Sequence, residues 1–120
     1  MKKIIASLAI AATVVTPIAA SAATWHSASV TLPRTGQWNT VDRTALSNTQ
    51  GTYVKNNNYK VYSWIESSKG NQSGPTRTWN NDGAGAQYHS TGLKGAKVHA
   101  SFKTSAVNYK TTTAYIEWAP

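Results

Sequence analysis

The sequence predicts an all-β domain: an antiparallel β-sandwich or small barrel of seven to eight short strands, preceded by a cleavable signal peptide. Three observations predict it. Residues 23–120 hold 10 Ser, 14 Thr and 9 Asn, side chains that compete with a helical backbone for its hydrogen bonds, and Thr, Val, Tyr and Trp fit a pleated surface better than a helix. Apolar residues recur with period two, and no window after the first 23 residues sustains a helical period. Clusters of Gly, Pro, Asn and Ser cut the chain into short runs.

Residues 1–23 read as an export signal. Lys2 and Lys3 supply the positive start, Ile4 to Val15 an apolar run, and Ala20-Ser21-Ala22 the small residues before cleavage after Ala22 or Ala23. Thr13, Thr16 and Pro17 interrupt the run, which falls short of the ~20 apolar residues that span a bilayer. Residues 24–120 then form a single secreted domain, too short for two cores, and no transmembrane segment is expected after cleavage.

The first strand is expected where Ala28, Val30 and Leu32 alternate with polar residues. Turns follow at Pro33 to Gly36 and Asn56-Asn57-Asn58. Tyr59 to Glu66 is predicted to put Tyr59, Val61, Ser63 and Ile65 on one face and Lys60, Tyr62, Trp64 and Glu66 on the other. Ser67 to Pro75, Asn80 to Gly85 and Gly92 to Gly95 read as connections. Ala96 to Thr104 alternates most cleanly, with Ala96, Val98, Ala100 and Phe102 facing one way and Lys97, His99, Ser101 and Lys103 the other. A turn over Ser105 to Asn108 leads to Thr111–Trp118, where Ala114, Ile116 and Trp118 share a face.

The chain has no Cys, so packing and backbone hydrogen bonds must stabilise it without disulfides. It carries 12 Lys plus Arg against 4 Asp plus Glu, and removing Lys2 and Lys3 leaves 10 against 4, a net +6. That balance favours an anionic or carbohydrate envelope component as partner, and the exported location argues against nucleic acid. The sequence leaves the oligomeric state open.

Catalytic motifs are absent. The carboxylates Asp42, Glu66, Asp82 and Glu117 show no recognisable acid/base spacing. His26, His89 and His99 lack metal-ligand spacing, and His89-Ser90 is mere adjacency, since neighbours on a strand point to opposite faces. Gly83-Ala84-Gly85 lacks the lysine and the strand-to-helix context of a phosphate loop, and Asn71-Gln72-Ser73 is a glycosylation sequon only in a eukaryotic export route. No catalytic residue, metal or cofactor is expected.

The surface candidates are aromatic and basic. All 5 Trp, 6 Tyr and 1 Phe fall after the signal. Tyr62 and Trp64, beside Lys60, are predicted on the face opposite Val61 and Ile65, where indole and phenol rings can stack on sugars. Lys97, His99 and Lys103 alternate along a second strand and are predicted to project as a basic stripe. These six residues are the candidate ligand-binding set.

The chain also resembles the lactococcin family of secreted, cysteine-free, β-sheet bacteriocins. The resemblance rests on the signal, on Trp25-His26, on Gly95-Ala96-Lys97-Val98-His99-Ala100-Ser101-Phe102 and on Thr113-Ala114-Tyr115-Ile116-Glu117-Trp118. It implies a target in wall synthesis, such as a lipid-linked precursor, with no catalysis by the protein itself. Three functional expectations result: a secreted, non-enzymatic binder of a bacterial envelope or cell-wall component, a bacteriocin-like antimicrobial protein, and a small secreted hydrolase whose site carries no recognisable motif.

Overall fold

Each alternating run of the sequence becomes a strand, and the strands pair into two antiparallel sheets. The computed structural model describes residues 24–105 and 110–120. The expected signal peptide and the turn residues 106–108 lie outside the described residues. The strands are β1 His26–Leu32, β2 Trp38–Asn39, β3 Arg43–Thr44, β4 Thr49–Lys55, β5 Val61–Ser67, β6 Gln72–Trp79, β7 Gln87–Ser90, β8 Lys97–Thr104 and β9 Thr112–Ala119. One sheet has the order β1-β9-β4-β7 and the other β2-β8-β5-β6, with β3 also paired to β8. No helix among the described residues is long and apolar enough to cross a membrane.

The period-two rows account for the core. Val98, Ala100 and Phe102 of β8 and Val61 and Ile65 of β5 are fully buried, and they meet Leu32, Val54, Ala114, Ile116 and Trp118 from the other sheet in one cluster. Each large apolar side chain so buried contributes about 1.5–3 kcal/mol relative to exposure. Ala96, expected in this row, is exposed and precedes β8. The predicted turns hold the residues with left-handed backbone, among them Gly36, Asn56, Gly83 and Gly95, since such conformations cost Gly and Asn least.

One connection is shorter than the sequence predicts. The turn expected over Ser67 to Pro75 closes at Asn71, where Ser67 N–H donates to Asn71 O at 2.9 Å and Gly70 N–H to Ser67 O at 2.8 Å. The Gly74-Pro75 pair that suggested a turn lies inside β6 instead. Proline is tolerated there because β6 is the last strand of its sheet. The register steps from Ser63↔Arg77 to Ile65↔Ser73, so Gly74, Pro75 and Thr76 bulge opposite Trp64.

That bulge ties the two sheets together along one flank. Arg77 Nε donates to Tyr88 O at 2.8 Å, Gln87 Nε2 to Thr78 O at 2.9 Å and Ser73 Oγ to Thr91 O at 3.0 Å. His89, fully buried on β7, completes the stitching with Nδ1 2.9 Å from Pro75 O. A carbonyl only accepts, so Nδ1 carries the proton. Burial, followed by the Arg77 charge, holds the ring below its ordinary pKa despite the Pro75 bond, so the imidazole is neutral and Nε2 accepts from Thr52 Oγ1 at 2.7 Å. The single Thr52 proton being used, Thr52 accepts from Ser63 Oγ at 3.0 Å, and Ser63 accepts from Trp79 Nε1 at 3.0 Å. A directed chain thus runs Trp79→Ser63→Thr52→His89→Pro75, with every buried donor in it satisfied.

Candidate functional site

The pairing of β5 with β8 builds the site, because it joins the two strands that carry the candidate side chains. Residues opposite each other in an antiparallel pair share a face. Tyr62 stands opposite Lys103, Trp64 opposite Ser101 and Glu66 opposite His99. On the flanks, Asn39 of β2 lies opposite Ser101 and Thr78 of β6 opposite Tyr62. The outer face of this sheet therefore carries Tyr62 and Trp64, both half-buried, within a field of lysine, hydroxyl and amide groups. Lys60 is exposed just before β5, and its carbonyl accepts from Ser105 N–H at 2.8 Å, which continues the ladder with Lys60 opposite Ser105, one pair beyond Val61↔Thr104.

Trp64 is held by its neighbours. Its Nε1 donates to Glu66 Oε2 at 2.7 Å, a bond available because residues two apart on a strand share a face. Gln37 Nε2 donates to the same oxygen at 3.0 Å and lies 2.9 Å from Asn39 Oδ1 and 3.3 Å from Ser101 Oγ. Ser101 Oγ in turn donates to Asn39 Oδ1 at 2.9 Å. Burial pushes the Glu66 pKa up, but the bonds from Trp64, Gln37 and His99 outweigh it and leave the carboxyl below its ordinary value. Glu66 is therefore a carboxylate, 7 % exposed, whose acceptor oxygens fix the indole.

His99 differs from its companions in the predicted basic stripe. Lys97 is exposed and Lys103 half-buried, but His99 is only 7 % exposed. Its Nδ1 lies 2.8 Å from Asp42 Oδ1 and its Nε2 2.9 Å from Glu66 Oε1. Both ring nitrogens are thus engaged by carboxyl oxygens, so His99 serves the interior of the network and offers no free nitrogen to a ligand. The loop between β2 and β3 brings Asp42 over the ring, and this covering turns a stripe position into a buried one. Glu66 was legible on this face from its alternation with Trp64; Gln37 and Asp42 arrive from loops and left no periodic signal.

The remaining titratable groups lie elsewhere. Glu117 accepts from Tyr115 Oη at 2.9 Å on the other sheet, and Asp82 Oδ1 accepts from Ala84 N–H at 3.2 Å in a turn. Among the described residues no three His, Cys, Asp or Glu side chains could hold a metal ion together. No family model, curated protein or solved structure matches the chain.

Proposed function

We propose that this is a secreted, non-enzymatic protein that binds a bacterial envelope or cell-wall component through the outer face of the β5–β8 pair. The observation that carries the reading is the register Tyr62↔Lys103 next to Trp64↔Ser101. Sequence alone left the two candidate strands unrelated, and their pairing makes one aromatic and basic strip. Aromatic faces stack on sugar C–H groups, lysines attract phosphate or carboxylate, and the neighbouring Asn39, Ser101 and Thr78 supply hydroxyl and amide partners. The pre-set Trp64 indole favours binding, because a side chain already ordered loses little entropy on contact. His99 enters as a positioning residue through Glu66. Secretion rests on residues 1–23, and an anionic, carbohydrate-bearing wall polymer is the partner this face suits.

The test is retention on isolated bacterial cell walls. Tyr62→Ala and Lys103→Gln are each expected to reduce retention about tenfold, and the lysine share should fade in ~0.5 M salt. Thr31→Ala, on the opposite sheet, serves as control. Retention unchanged in Tyr62→Ala and Lys103→Gln alike removes the proposal. Growth inhibition of related strains by the purified protein would instead favour the bacteriocin-like reading.

A further inference from the structure

The flank opposite the stitched β6–β7 edge is open. Between β1 of one sheet and the β2–β3 segment of the other lies a cavity of about 180 Å³, lined by His26, Ala28, Trp38, Arg43, Ile116 and Trp118. The registers explain its walls: Trp38 stands opposite the core residue Phe102 and Arg43 opposite Val98, so both point between the sheets. Ala28 stands opposite Ile116 in the inward row of β1 and is too small to fill the gap. The volume is comparable to the ~150 Å³ that holds benzene in an engineered core.

Arg43 is out of place in such a wall. Its Nε is buried without a hydrogen-bond partner, one of two such side-chain atoms among the described residues, and of the two residues concerned Arg43 lines the cavity whereas Asn57 does not. Nor, among the described residues, does an Asp or Glu side chain form an ion pair with it. Of the four carboxylates, Asp42 and Glu66 pair with His99, Glu117 accepts from Tyr115 and Asp82 from Ala84. A buried guanidinium donor left unmade costs free energy that an incoming acceptor recovers. Burial and then the Arg43 charge hold His26 below its ordinary pKa, so the wall presents positive potential with a neutral imidazole beside it.

We propose that this cavity is a binding site for a small organic carboxylate, with its anionic head on the Arg43 guanidinium and its apolar body against Trp38 and Trp118. The site adjoins the outer β5–β8 face only at Asn39, which borders both, and stands whether or not that face binds the envelope. Arginine suits the head group because its fork matches the two carboxylate oxygens, and the indoles and Ile116 desolvate a ring or branched alkyl body. A cavity of this size admits about ten heavy atoms, so an affinity around the millimolar range is expected.

The experiment titrates the intact protein with benzoate and with benzamide, its neutral counterpart, and follows the indole N–H signals of Trp38 and Trp118 by NMR. Benzoate is expected to shift both, with benzamide at least ~10-fold weaker. Arg43→Met is expected to weaken benzoate ~10- to 100-fold, and Arg43→Lys less. Ala28→Leu, which fills the gap without touching Arg43, is expected to block binding in a folded protein and keeps the test decisive if Arg43→Met fails to fold. Absence of any benzoate shift at about 10 mM, equal binding of benzamide, or unchanged binding in both Ala28→Leu and Arg43→Lys overturns the proposal.

Discussion

Glu66 and His99 face each other across the β5–β8 pair, with Oε1 of the carboxylate 2.9 Å from Nε2 of the imidazole. Both are nearly buried, so the pair organises its surroundings from beneath the surface. Glu66→Gln replaces one acceptor oxygen with a donor among three groups that already donate: Trp64, Gln37 and His99. It is expected to lower stability by about 1–3 kcal/mol in urea unfolding and to weaken wall retention, although Glu66 itself need touch no ligand. Wild-type stability in the variant would refute this.

The acid limb of the stability profile should carry the same signature. Because the folded Glu66 pKa lies below its ordinary value of 4.5, the unfolded chain takes up that proton first as pH falls. The contribution is complete above about pH 4.5 and disappears as pH drops through the folded value. Urea midpoints measured from pH 6 to pH 3 should fall more steeply for wild type than for Glu66→Gln, and parallel profiles would count against it.

His89 sets a second dependence at higher pH. Its folded pKa is held below 6.5, so the unfolded chain binds its proton first. Stability is complete above about pH 6.5 and declines below it toward the folded value. Above pH 6.5 the His89 ring signals should be those of the neutral Nδ1–H tautomer. Thr52→Val removes the donor to Nε2 and the acceptor for Ser63, and should cost about 1–3 kcal/mol; a smaller effect than that of an exposed threonine such as Thr31 would contradict the chain of bonds.

Two glycines should respond differently to alanine. Gly74 has φ +79, and a Cβ there would meet Ser90 O, a backbone atom, at 2.9 Å. At Gly51 the Cβ would meet the tip of the Trp25 indole at 2.6 Å, and that side chain near the start of the domain can swing aside. Gly74→Ala should therefore cost more, by at least ~1 kcal/mol, with the β6–β7 stitching loosened. Gly51→Ala should mainly displace Trp25, visible in its indole N–H signal. Equal thermal shifts for the two variants would argue otherwise.

Much of the fold was legible because a half-buried strand writes its two faces into alternate residues. Val98, Ala100 and Phe102 were placed inward from that pattern, as were Ala114, Ile116 and Trp118, and all are core. Tyr62, Trp64 and Lys103 were placed outward, yet only the β5–β8 pairing shows that they are neighbours, since alternation fixes faces but not strand order. Gly74-Pro75 misled because the pair favours turns locally, and only its edge position permits it within a strand. The burial of His99 and the open pocket at Arg43 depend on loops and on the gap between layers, neither of which leaves a period in the sequence.

The Trp79→Ser63→Thr52→His89→Pro75 chain has a direction as well as a geometry. Apolar contacts hold the two layers by fit alone, since dispersion has no sense of polarity. Hydroxyls that must each give their one proton onward have only one alignment in which none is stranded. The alignment of the layers is thus constrained by proton bookkeeping as well as by the shape of the packed core, and a slip of even one residue pair would leave buried dipoles pointing at nothing.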